Sequence, residues 1–381
     1  MTGAIDPGIL DGGLPLGTVE LARQLLASAG ARLAAVGGSL VLGAGSVEEL
    51  LVLPRLVEPD WPEPSPPRLI AGGAVQADLT DDDREVFEAL LRTLPGAGPE
   101  EVAATAQEWR LPVTPYRPLP VPVPGRPDLP RWGAASDATA VPAAPEPGRQ
   151  PVSRFRPGVG ASPVPGPGPR PEGGVVGARV LDLTTLWAGP LCTELLARHG
   201  AEVTKVDPDC RPDGFREHPA LYQRLNGTKA VVDLDLRRPA DRARFEDLVR
   251  RSDLLVASFS RRVLPNLGYG PDELRALNPQ LVTLRLTAFP VGCPEQDWLA
   301  YGSGVHAVSG LGMVRGRPSP PPVAYPDPLA GLLAFAVAVS LLTEPGTPGR
   351  SAEVSLAAAV APLVRRAAER AGGLLPAGAN W

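Results

Sequence analysis

The stretch Gly177–Asp207, GARVLDLTTLWAGPLCTELLARHGAEVTKVD, lays out a strand, a turn, a helix and a second strand in order. The apolar run Val180–Leu183 predicts the first strand, and Val203–Val206 predicts the second. Gly189-Pro190 predicts the helix start, because a proline in the first turn has no N–H to leave unpaired. Gly200 predicts the helix end, since glycine readily takes the positive φ that often follows a helix.

Downstream of this unit, strand and helix patterns alternate regularly. The predicted strands are Val231–Leu234, Leu254–Phe259, Leu281–Thr287 and Ala352–Leu356. The predicted helices are Ala240–Arg251, Asp272–Leu277, Pro328–Thr343 and Ala357–Ala371. This alternation predicts an α/β fold with a mostly parallel, Rossmann-like sheet that has helices on both faces.

Upstream, the composition divides the chain into parts. Residues 115–174 are dominated by proline and glycine and lack apolar periodicity, which is typical of a linker. Residues 1–114 predict a smaller α+β domain, and residues 175–381 the α/β domain. Within the small domain, helices are predicted at Val19–Ala34, Asp81–Leu94 and Glu100–Trp109, and short strands at SLVLGAG (39–45) and Leu50–Leu56.

Composition and charge exclude several classes of protein. A net charge of −5 over 381 residues, without a dense basic stripe, argues against nucleic-acid binding. Three cysteines without paired spacing indicate neither disulfides nor a zinc site, and the three histidines show no metal-ligand spacing, so we expect a cytoplasmic protein without a metal. The N-terminus lacks the basic flank of a signal peptide, and the apolar run Leu329–Leu342 is shorter than a membrane span. We therefore expect a buried helix there and no membrane association.

A parallel sheet that opens with a strand and a helix raises the possibility of a nucleotide site. The turn at Leu186–Pro190 has neither the G-x-G-x-x-G pattern of dinucleotide sites nor the G-x-x-x-x-G-K-[ST] pattern of phosphate-binding loops. Both readings are therefore disfavoured.

Seven segments, in order, resemble the class III coenzyme A transferases, a family that includes formyl-CoA and carnitine-CoA transferases and α-methylacyl-CoA racemases. They are DLTTLWAGP, GAEVTKVDP, LNGTKAVVDLDL, SDLLVASFSRRVLPNLGYGPDELRALNPQLVTLRLTAF, AVSGLG, DPLAGLLAFAVA and EVSLAAAV, and they cover roughly residues 175–360. The resemblance implies an enzyme that moves CoA from an acyl-CoA to a carboxylic acid, and an interlocked homodimer. It also implies that an aspartate at the start of the helix in DPLAGLLAF, here Asp327, is the nucleophile and passes through anhydride and thioester intermediates. Local sequence alone favours a simpler role for Asp327, as the N-cap of a helix whose first position is Pro328, and one carboxylate can serve both roles.

The resemblance also implies CoA contacts. Trp187 and Ala188 match positions lining the crevice, and Lys229 matches a basic position near the nucleotide. The other matching positions are Leu234 and Arg237, for adenine and phosphate, and Ser258 and Phe259, for the pantetheine side. Simpler explanations exist for some of these: Lys229 and Arg237 suit solvated charges, and Trp187 suits core packing.

Several positions depart from the family pattern. Pro208 and Asn266 stand where basic residues are common, so the phosphate contacts are weaker or come from Arg211, Arg261 or Arg262. Tyr301 and Gly302 replace the racemase histidine and the aspartate after it. Because a racemase needs two acid–base groups at the α-carbon, these changes disfavour racemisation. The alternatives are therefore a racemase or other acyl-CoA-processing enzyme, and a non-catalytic CoA-thioester-binding subunit.

The segment DREVFEALLRTLPGAGPEEVAATAQEWRLPVTPYRPL, residues 83–119, resembles the part that closes an ordinary family member. Here it precedes the sheet, and the chain ends soon after EVSLAAAV. We therefore expect a permuted order, in which the small domain and its returning helix come first and the linker leads to the family's usual first strand.

Overall fold

The computed structural model describes residues 14–119, with gaps at 16, 36–39, 41–45, 59–60 and 62–63, together with residues 174–343 and 349–370. In the first range the helices are α1 (Thr18–Ala35), α2 (Val47–Leu51), α3 (Leu53–Val57), α4 (Asp81–Thr93) and α5 (Pro99–Glu108). Three short strands, β1 (Arg68–Ile70), β2 (Gly73–Ala77) and β3 (Val113–Pro115), pair antiparallel in the order β1-β2-β3. We call residues 64–119 the N-terminal unit.

The three long helices predicted in this region are confirmed to within one or two residues, whereas the strand predicted at Leu50–Leu56 is wrong. Two short helices, α2 and α3, occupy that run. Ser46 starts α2 with a capping box: its hydroxyl accepts the Glu49 N–H at 3.2 Å, and the Glu49 carboxylate accepts the Ser46 N–H at 3.1 Å. The predicted strand SLVLGAG lies outside the described residues except for Leu40, and so does most of the predicted linker, residues 120–173.

The remaining described residues form the α/β part. Its strands are β4 (Arg179–Leu183), β5 (Glu202–Val206), β6 (Ala230–Val232), β7 (Leu254–Ala257), β8 (Val282–Thr287), β9 (Met313–Val314), β10 (Arg317–Pro318) and β11 (Ser351–Ser355). Its helices are α6 (Ala188–Arg198), α7 (Pro219–Asn226), α8 (Pro239–Arg251), α9 (Val263–Asn266), α10 (Pro271–Leu277), α11 (Gly302–Val308), α12 (Pro326–Thr343) and α13 (Leu356–Arg370). The predicted alternation of strands and helices is confirmed.

Six of these strands form one sheet in the order β11-β8-β7-β4-β5-β6, and every neighbouring pair is parallel. The chain moves from β4 to β5 on one side, and later places β7 on the other side of β4. In such sheets a crevice opens beyond the carboxyl ends of the two strands where the direction reverses. The fold therefore places a binding crevice after Leu183 and after Ala257.

Helix α12 is the apolar centre of the α/β part. It has 18 residues with a mean hydropathy of 1.6, long and apolar enough to cross a membrane, but 72% of it is buried inside the protein. It packs against α1 on one side and α6 on another, where a Cβ added at Gly331 would lie 2.6 Å from the Ala188 carbonyl oxygen. The prediction of a buried core helix is confirmed, and the N-terminal α1 completes its cover.

Candidate functional site

The loops that follow β4 and β7 meet at the predicted crevice. The backbone N–H of Thr185, after β4, donates to Oγ of Ser258, after β7, at 3.2 Å. Trp187 and Ala188 come two and three residues after Thr185, at the start of α6. The structure thus brings three of the predicted CoA-contacting residues to the reversal point of the sheet.

The loop after β4 is held by a buried ion pair beneath it. Leu186 has a φ of 66°, in the left-handed region that side chains with a Cβ rarely adopt. Its N–H donates to Asp213 Oδ1 at 3.0 Å, and the fully buried Lys205 ammonium pairs with Asp213 Oδ2 at 3.1 Å. Lys205 also donates to the Thr184 carbonyl oxygen at 2.6 Å. These contacts offset the backbone strain and set the direction in which Trp187 leaves the loop.

Trp187 carries an unusual buried donor. Its side chain is 4% exposed, and its Nε1–H has no hydrogen-bond partner among the described residues. A buried indole N–H left unpaired is costly. CoA is rich in acceptors, in its amides and phosphates, so this orphaned donor at the crevice fits the binding of such a molecule.

Asp327 lies in the first turn of α12, which begins at Pro326. The predicted position as N-cap is therefore wrong, since helical geometry starts one residue before Asp327. Residues four apart share a helix face, so Asp327 lies one turn from Gly331, the residue that packs on Ala188. Asp327 is thus placed on the side of α12 that faces the start of α6.

The Asp327 carboxylate is partly buried and accepts a backbone hydrogen bond from Gly302, with 3.0 Å between the nitrogen and Oδ2. Burial raises the pKa of Asp327 to about 7; the Gly302 N–H opposes this rise, and the nearby charge of Asp78 adds to it. A carboxylate with a raised pKa is a stronger nucleophile when ionised and is still substantially ionised near neutrality. The environment therefore suits nucleophilic chemistry.

Residues around Asp327 that the sequence did not predict to be functional complete the site. Tyr301 is 45% exposed, and burial of its phenol together with the charge of Asp78 raises the pKa of Tyr301, while Arg211 opposes the rise. Ser303, in the first turn of α11, donates its hydroxyl to Asp78 of the N-terminal unit at 2.7 Å. Gly302 was visible in the sequence only as a departure from the family pattern, and Asp78 carried no signal.

Lys229 does not face the crevice with a free charge. Its buried ammonium contacts Asp182 Oδ2 at 3.1 Å, the Pro190 carbonyl oxygen at 3.0 Å and Asn226 Oδ1 at 2.8 Å. Burial opposes ionisation of Asp182, but Lys229 and Lys205 hold the pKa of Asp182 down to about 2. Because the three ammonium hydrogens are donated inside the protein, the geometry supports a structural role for Lys229 in place of the predicted nucleotide contact.

The other predicted contact residues lie in different settings. Leu234 is buried in the hydrophobic cluster on one face of the sheet, and Phe259 packs against the same cluster. Arg237 is exposed, in a loop beyond β6, and pairs with Asp235 at 2.8 Å. Among the alternative phosphate ligands, Arg261 is engaged with Glu353 and the Phe289 carbonyl oxygen, whereas Arg211 is exposed. Arg262 is also exposed and pairs with Asp297 at 3.7 Å, so Arg211, Arg237 and Arg262 are the exposed cations among these positions.

His306 is buried, with Nδ1 2.9 Å from the Tyr325 hydroxyl and Nε2 3.1 Å from the Ser319 carbonyl oxygen, as expected for a core histidine. Within the described ranges, no group of three or more His, Cys, Asp or Glu side chains is arranged to hold a metal ion.

Comparison with known proteins bears on the family of the chain. The family model described as CoA-transferase family III matches residues 175–375. The succinyl-CoA–D-citramalate CoA-transferase of Chloroflexus aurantiacus is 35% identical over 178 residues, covering 44% of this chain and 44% of that protein. The acetyl-CoA:oxalate CoA-transferase of Acetobacter aceti is 29% identical over 199 residues, covering 49% of this chain and 51% of that protein.

Among solved structures, a hypothetical protein from Mycobacterium tuberculosis is similar at 28% identity and a TM-score of 0.48, covering 54% of this chain and 61% of that one. The chain spans about half the length of the curated relatives it matches.

Proposed function

The chain belongs to CoA-transferase family III, and we propose that it moves CoA from an acyl-CoA to a carboxylic acid with Asp327 as the nucleophile. The observation that carries this proposal is the Asp327 carboxylate, partly exposed, raised in pKa to about 7, and in contact with the Gly302 N–H. It lies one helical turn from Gly331, where α12 packs against Ala188 at the start of α6.

The reaction divides into two halves. An Asp327 oxygen attacks the thioester carbonyl carbon, the C–S bond breaks, and CoA departs as its thiolate. The acyl group and Asp327 are then joined in a mixed anhydride. The thiolate then attacks the aspartyl carbonyl of the anhydride, which releases the donor as its free carboxylate and leaves an aspartyl-CoA thioester. The acceptor carboxylate repeats these steps in reverse order, so that the new acyl-CoA forms and Asp327 is regenerated.

The Gly302 N–H supports these steps. When a nucleophile attacks the aspartyl carbonyl carbon, negative charge develops on an oxygen of Asp327. A backbone N–H already 3.0 Å from Oδ2 stabilises that charge without reorganisation. Burial of the carboxyl group strengthens this interaction, because the surroundings are less polarisable than water.

The relatives suggest which substrates to try. Their names include succinyl-CoA and acetyl-CoA as donors, and citramalate and oxalate as acids. We propose a small dicarboxylic acid as acceptor, supported by the exposed Arg211 near Tyr301, which suits a second carboxylate.

The test combines these donors and acids with isotope-labelled acid and measures label transfer into acyl-CoA. Hydroxylamine converts an aspartyl thioester to a hydroxamate, so mass spectrometry of the treated protein should locate the modification on Asp327. Asp327→Ala and the nearly isosteric Asp327→Asn should lose several powers of ten in turnover, because no other group replaces a covalent nucleophile at equal geometry. Unchanged turnover in both variants would contradict the proposal.

The same assay separates the alternatives. Deuterium uptake at the α-carbon without CoA exchange would indicate racemisation, which the raised pKa of Tyr301 disfavours because a neutral phenol is a poor base. CoA binding by calorimetry, with no exchange for any acid, would indicate a non-catalytic subunit.

We also propose the permuted domain order, with a small domain at 1–114, a linker at 115–174 and the α/β domain at 175–381. Support comes from contacts of the first part with the second: α1 packs on α12, and Gln107 donates to the Leu299 carbonyl oxygen at 2.8 Å. A protein reduced to residues 175–381 should therefore be insoluble or inactive. If it is soluble, dimeric and fully active, the permutation proposal is wrong.

A homodimer and a cytoplasmic location remain proposals from the family resemblance and from the free cysteines at Cys192, Cys210 and Cys293. Light scattering after size-exclusion chromatography tests the first. Fractionation of the source cells tests the second.

A further inference from the structure

The first turn of α11 is held between two carboxylates from distant parts of the chain. The Gly302 N–H donates to Asp327 Oδ2 at 3.0 Å, and the next residue, Ser303, donates its hydroxyl to Asp78 Oδ2 at 2.7 Å. Ser303 and Asp78 are 225 residues apart in sequence. The backbone N–H that contacts the proposed nucleophile is therefore anchored, one residue away, to the N-terminal unit.

Asp78 itself is firmly placed. Its Oδ1 accepts the Gln76 side-chain amide at 2.9 Å, and its backbone N–H donates to the Pro112 carbonyl oxygen at 3.1 Å. Gln76 is 1% exposed, and its amide oxygen accepts the Tyr116 hydroxyl at 2.8 Å. These contacts connect Asp78 to β2 and to the residues on either side of β3, so the anchor is held from two neighbouring segments.

Gly302 cannot orient its own N–H through a side chain. A Cβ at this position would lie 2.1 Å from Asp327 Oδ2 and 2.9 Å from the Ala324 carbonyl oxygen. The orientation of this peptide must therefore come from its neighbours, and Ser303 is the adjacent residue with a side-chain hydrogen bond.

We propose that Asp78 is a positioning residue of the transfer reaction: by binding Ser303 it fixes the Gly302 N–H against the Asp327 carboxylate. This inference rests on the proposed function. It makes the N-terminal unit part of the active site, although Asp78 lies outside residues 175–375, the part of the sequence that the family model matches.

Asp78 acts in a second way, through its charge. The charged or titratable groups whose influence reaches the pair Asp327 and Tyr301 are Asp78, Asp83 and Arg211. The negative charge of Asp78 disfavours ionisation of Asp327, whereas its hydrogen bond to Ser303 favours a well-placed N–H. Substitutions can separate the two effects: Asp78→Asn removes the charge and keeps one of the two acceptor oxygens, and Ser303→Ala removes the hydrogen bond and keeps the charge.

The kinetic test uses the full chain and the assay of label transfer from acyl-CoA to acid. We expect Ser303→Ala and Asp78→Ala each to lower kcat about tenfold, the usual size of a lost hydrogen bond to a charged group, with KM for the acyl-CoA changed less than about twofold. The double variant should be no slower than the slower single variant, because both remove one contact. Asp78→Asn should retain more activity than Asp78→Ala. Asp82→Asn, an exposed neighbour on α4, is the matched control and should match the wild-type chain.

Three outcomes would each overturn the proposal. The losses in kcat could multiply in the double variant, the substitutions could change KM alone, or both single variants could react at the wild-type rate. Thermal unfolding identifies any variant that fails to fold. Should Asp78→Ala fail, Ser303→Ala and Asp78→Asn still decide the outcome, because Ser303→Ala leaves Asp78 unchanged and Asp78→Asn keeps one acceptor oxygen at residue 78.

A second measurement does not depend on activity. In protein labelled with ¹³C at aspartate carboxyl carbons, the Asp327 signal, assigned from its loss in Asp327→Asn, reports its titration directly. We expect the midpoint of Asp327 to move to lower pH in Asp78→Asn and not in Ser303→Ala. If this shift occurs but the wild-type chain transfers no CoA, the proposed function is wrong, while the electrostatic coupling between Asp78 and Asp327 is confirmed. If transfer occurs but neither kcat nor the titration responds to residue 78, the positioning role is wrong.

Discussion

The backbone nitrogen of Gly302 lies 3.0 Å from Oδ2 of Asp327, and a Cβ on residue 302 would lie 2.1 Å from the same oxygen. Gly302→Ala must therefore push the carboxylate away or shift the start of α11. Because misplacement of a reacting group by about 1 Å costs about a hundredfold in rate, we expect a loss of that order in CoA transfer. Label transfer into acyl-CoA measures it.

Gly98→Ala is the matched control for this substitution. No heavy atom would lie within 4 Å of its added Cβ, and its φ of −79° is open to alanine. Equal rates for Gly302→Ala and the wild-type chain would show that the Gly302 contact is dispensable.

The pH dependence of transfer should report Asp327. The nucleophile must be ionised, and burial together with Asp78 raises the pKa of Asp327 to about 7. We therefore expect kcat/KM to rise tenfold per pH unit below this value and to level off above it. The measurement is kcat/KM between pH 5 and 9, with acceptor acids that stay ionised throughout. If kcat/KM rose with a midpoint near the ordinary carboxyl pKa of 3.8, Asp327 would not be the group that controls the rate.

The same raised pKa predicts that the native carboxylate destabilises the fold. Between 3.8, the ordinary value, and about 7, the native state holds a proton on Asp327 that the unfolded chain has lost, so stability falls as pH rises through this window. Asp327→Asn removes this cost and can still accept the Gly302 N–H. With partial exposure taken into account, we expect it to be more stable than the wild-type chain by about 1–3 kcal/mol above pH 7, and nearly equal to it near pH 4.

Urea unfolding at pH 4.5 and pH 8 checks this difference, provided that the m-value is unchanged. Asp82→Asn, which removes an exposed carboxylate, serves as the control for net charge. A variant less stable than the wild-type chain at pH 8 would show that the carboxylate is favourably solvated in the folded protein.

Local patterns were sufficient to predict the α/β part. In Gly177–Asp207, the apolar runs and the glycine after the helix act over a few residues, and the observed strands and helix match them closely, with Gly200 at a φ of 90°. The strands β1 and β2 were not predicted, because β1 is only three residues long and mostly exposed, so no alternation of buried and exposed residues marks it. The run Leu50–Leu56 was misassigned because a short apolar run does not separate strand from helix unless its cap is recognised.

The candidate site was only partly accessible from the sequence. Asp327 was identified because the family resemblance and the helix start coincide at one residue. Asp78 and Ser303 could not be found this way, since 225 residues separate them and no local periodicity specifies a contact across the two parts of the chain. Lys229 was read as a solvated or ligand-binding charge, because a lysine beside a short strand gives no sign of a buried carboxylate two strands away.

Substitutions at Lys229 and at Arg237 should therefore change different quantities, the stability of the fold for Lys229 and the CoA affinity for Arg237. Lys229→Met leaves the buried Asp182 carboxylate without its ammonium partner at 3.1 Å, and breaking a buried pair on one side costs about 3–5 kcal/mol. We expect a loss of this size in the free energy of unfolding, while the CoA affinity of the folded variant stays within about twofold of the wild-type value. Arg237→Ala removes a solvent-exposed guanidinium, and its buried partner Asp235 keeps Arg238 as an ion-pair partner at 3.6 Å. We therefore expect little change in the free energy of unfolding, so that any effect falls on CoA affinity. Urea unfolding measures the change in stability, and calorimetric titration with CoA measures the change in affinity. If Lys229→Met is as stable as the wild-type chain but binds CoA weakly, Lys229 contacts the nucleotide after all.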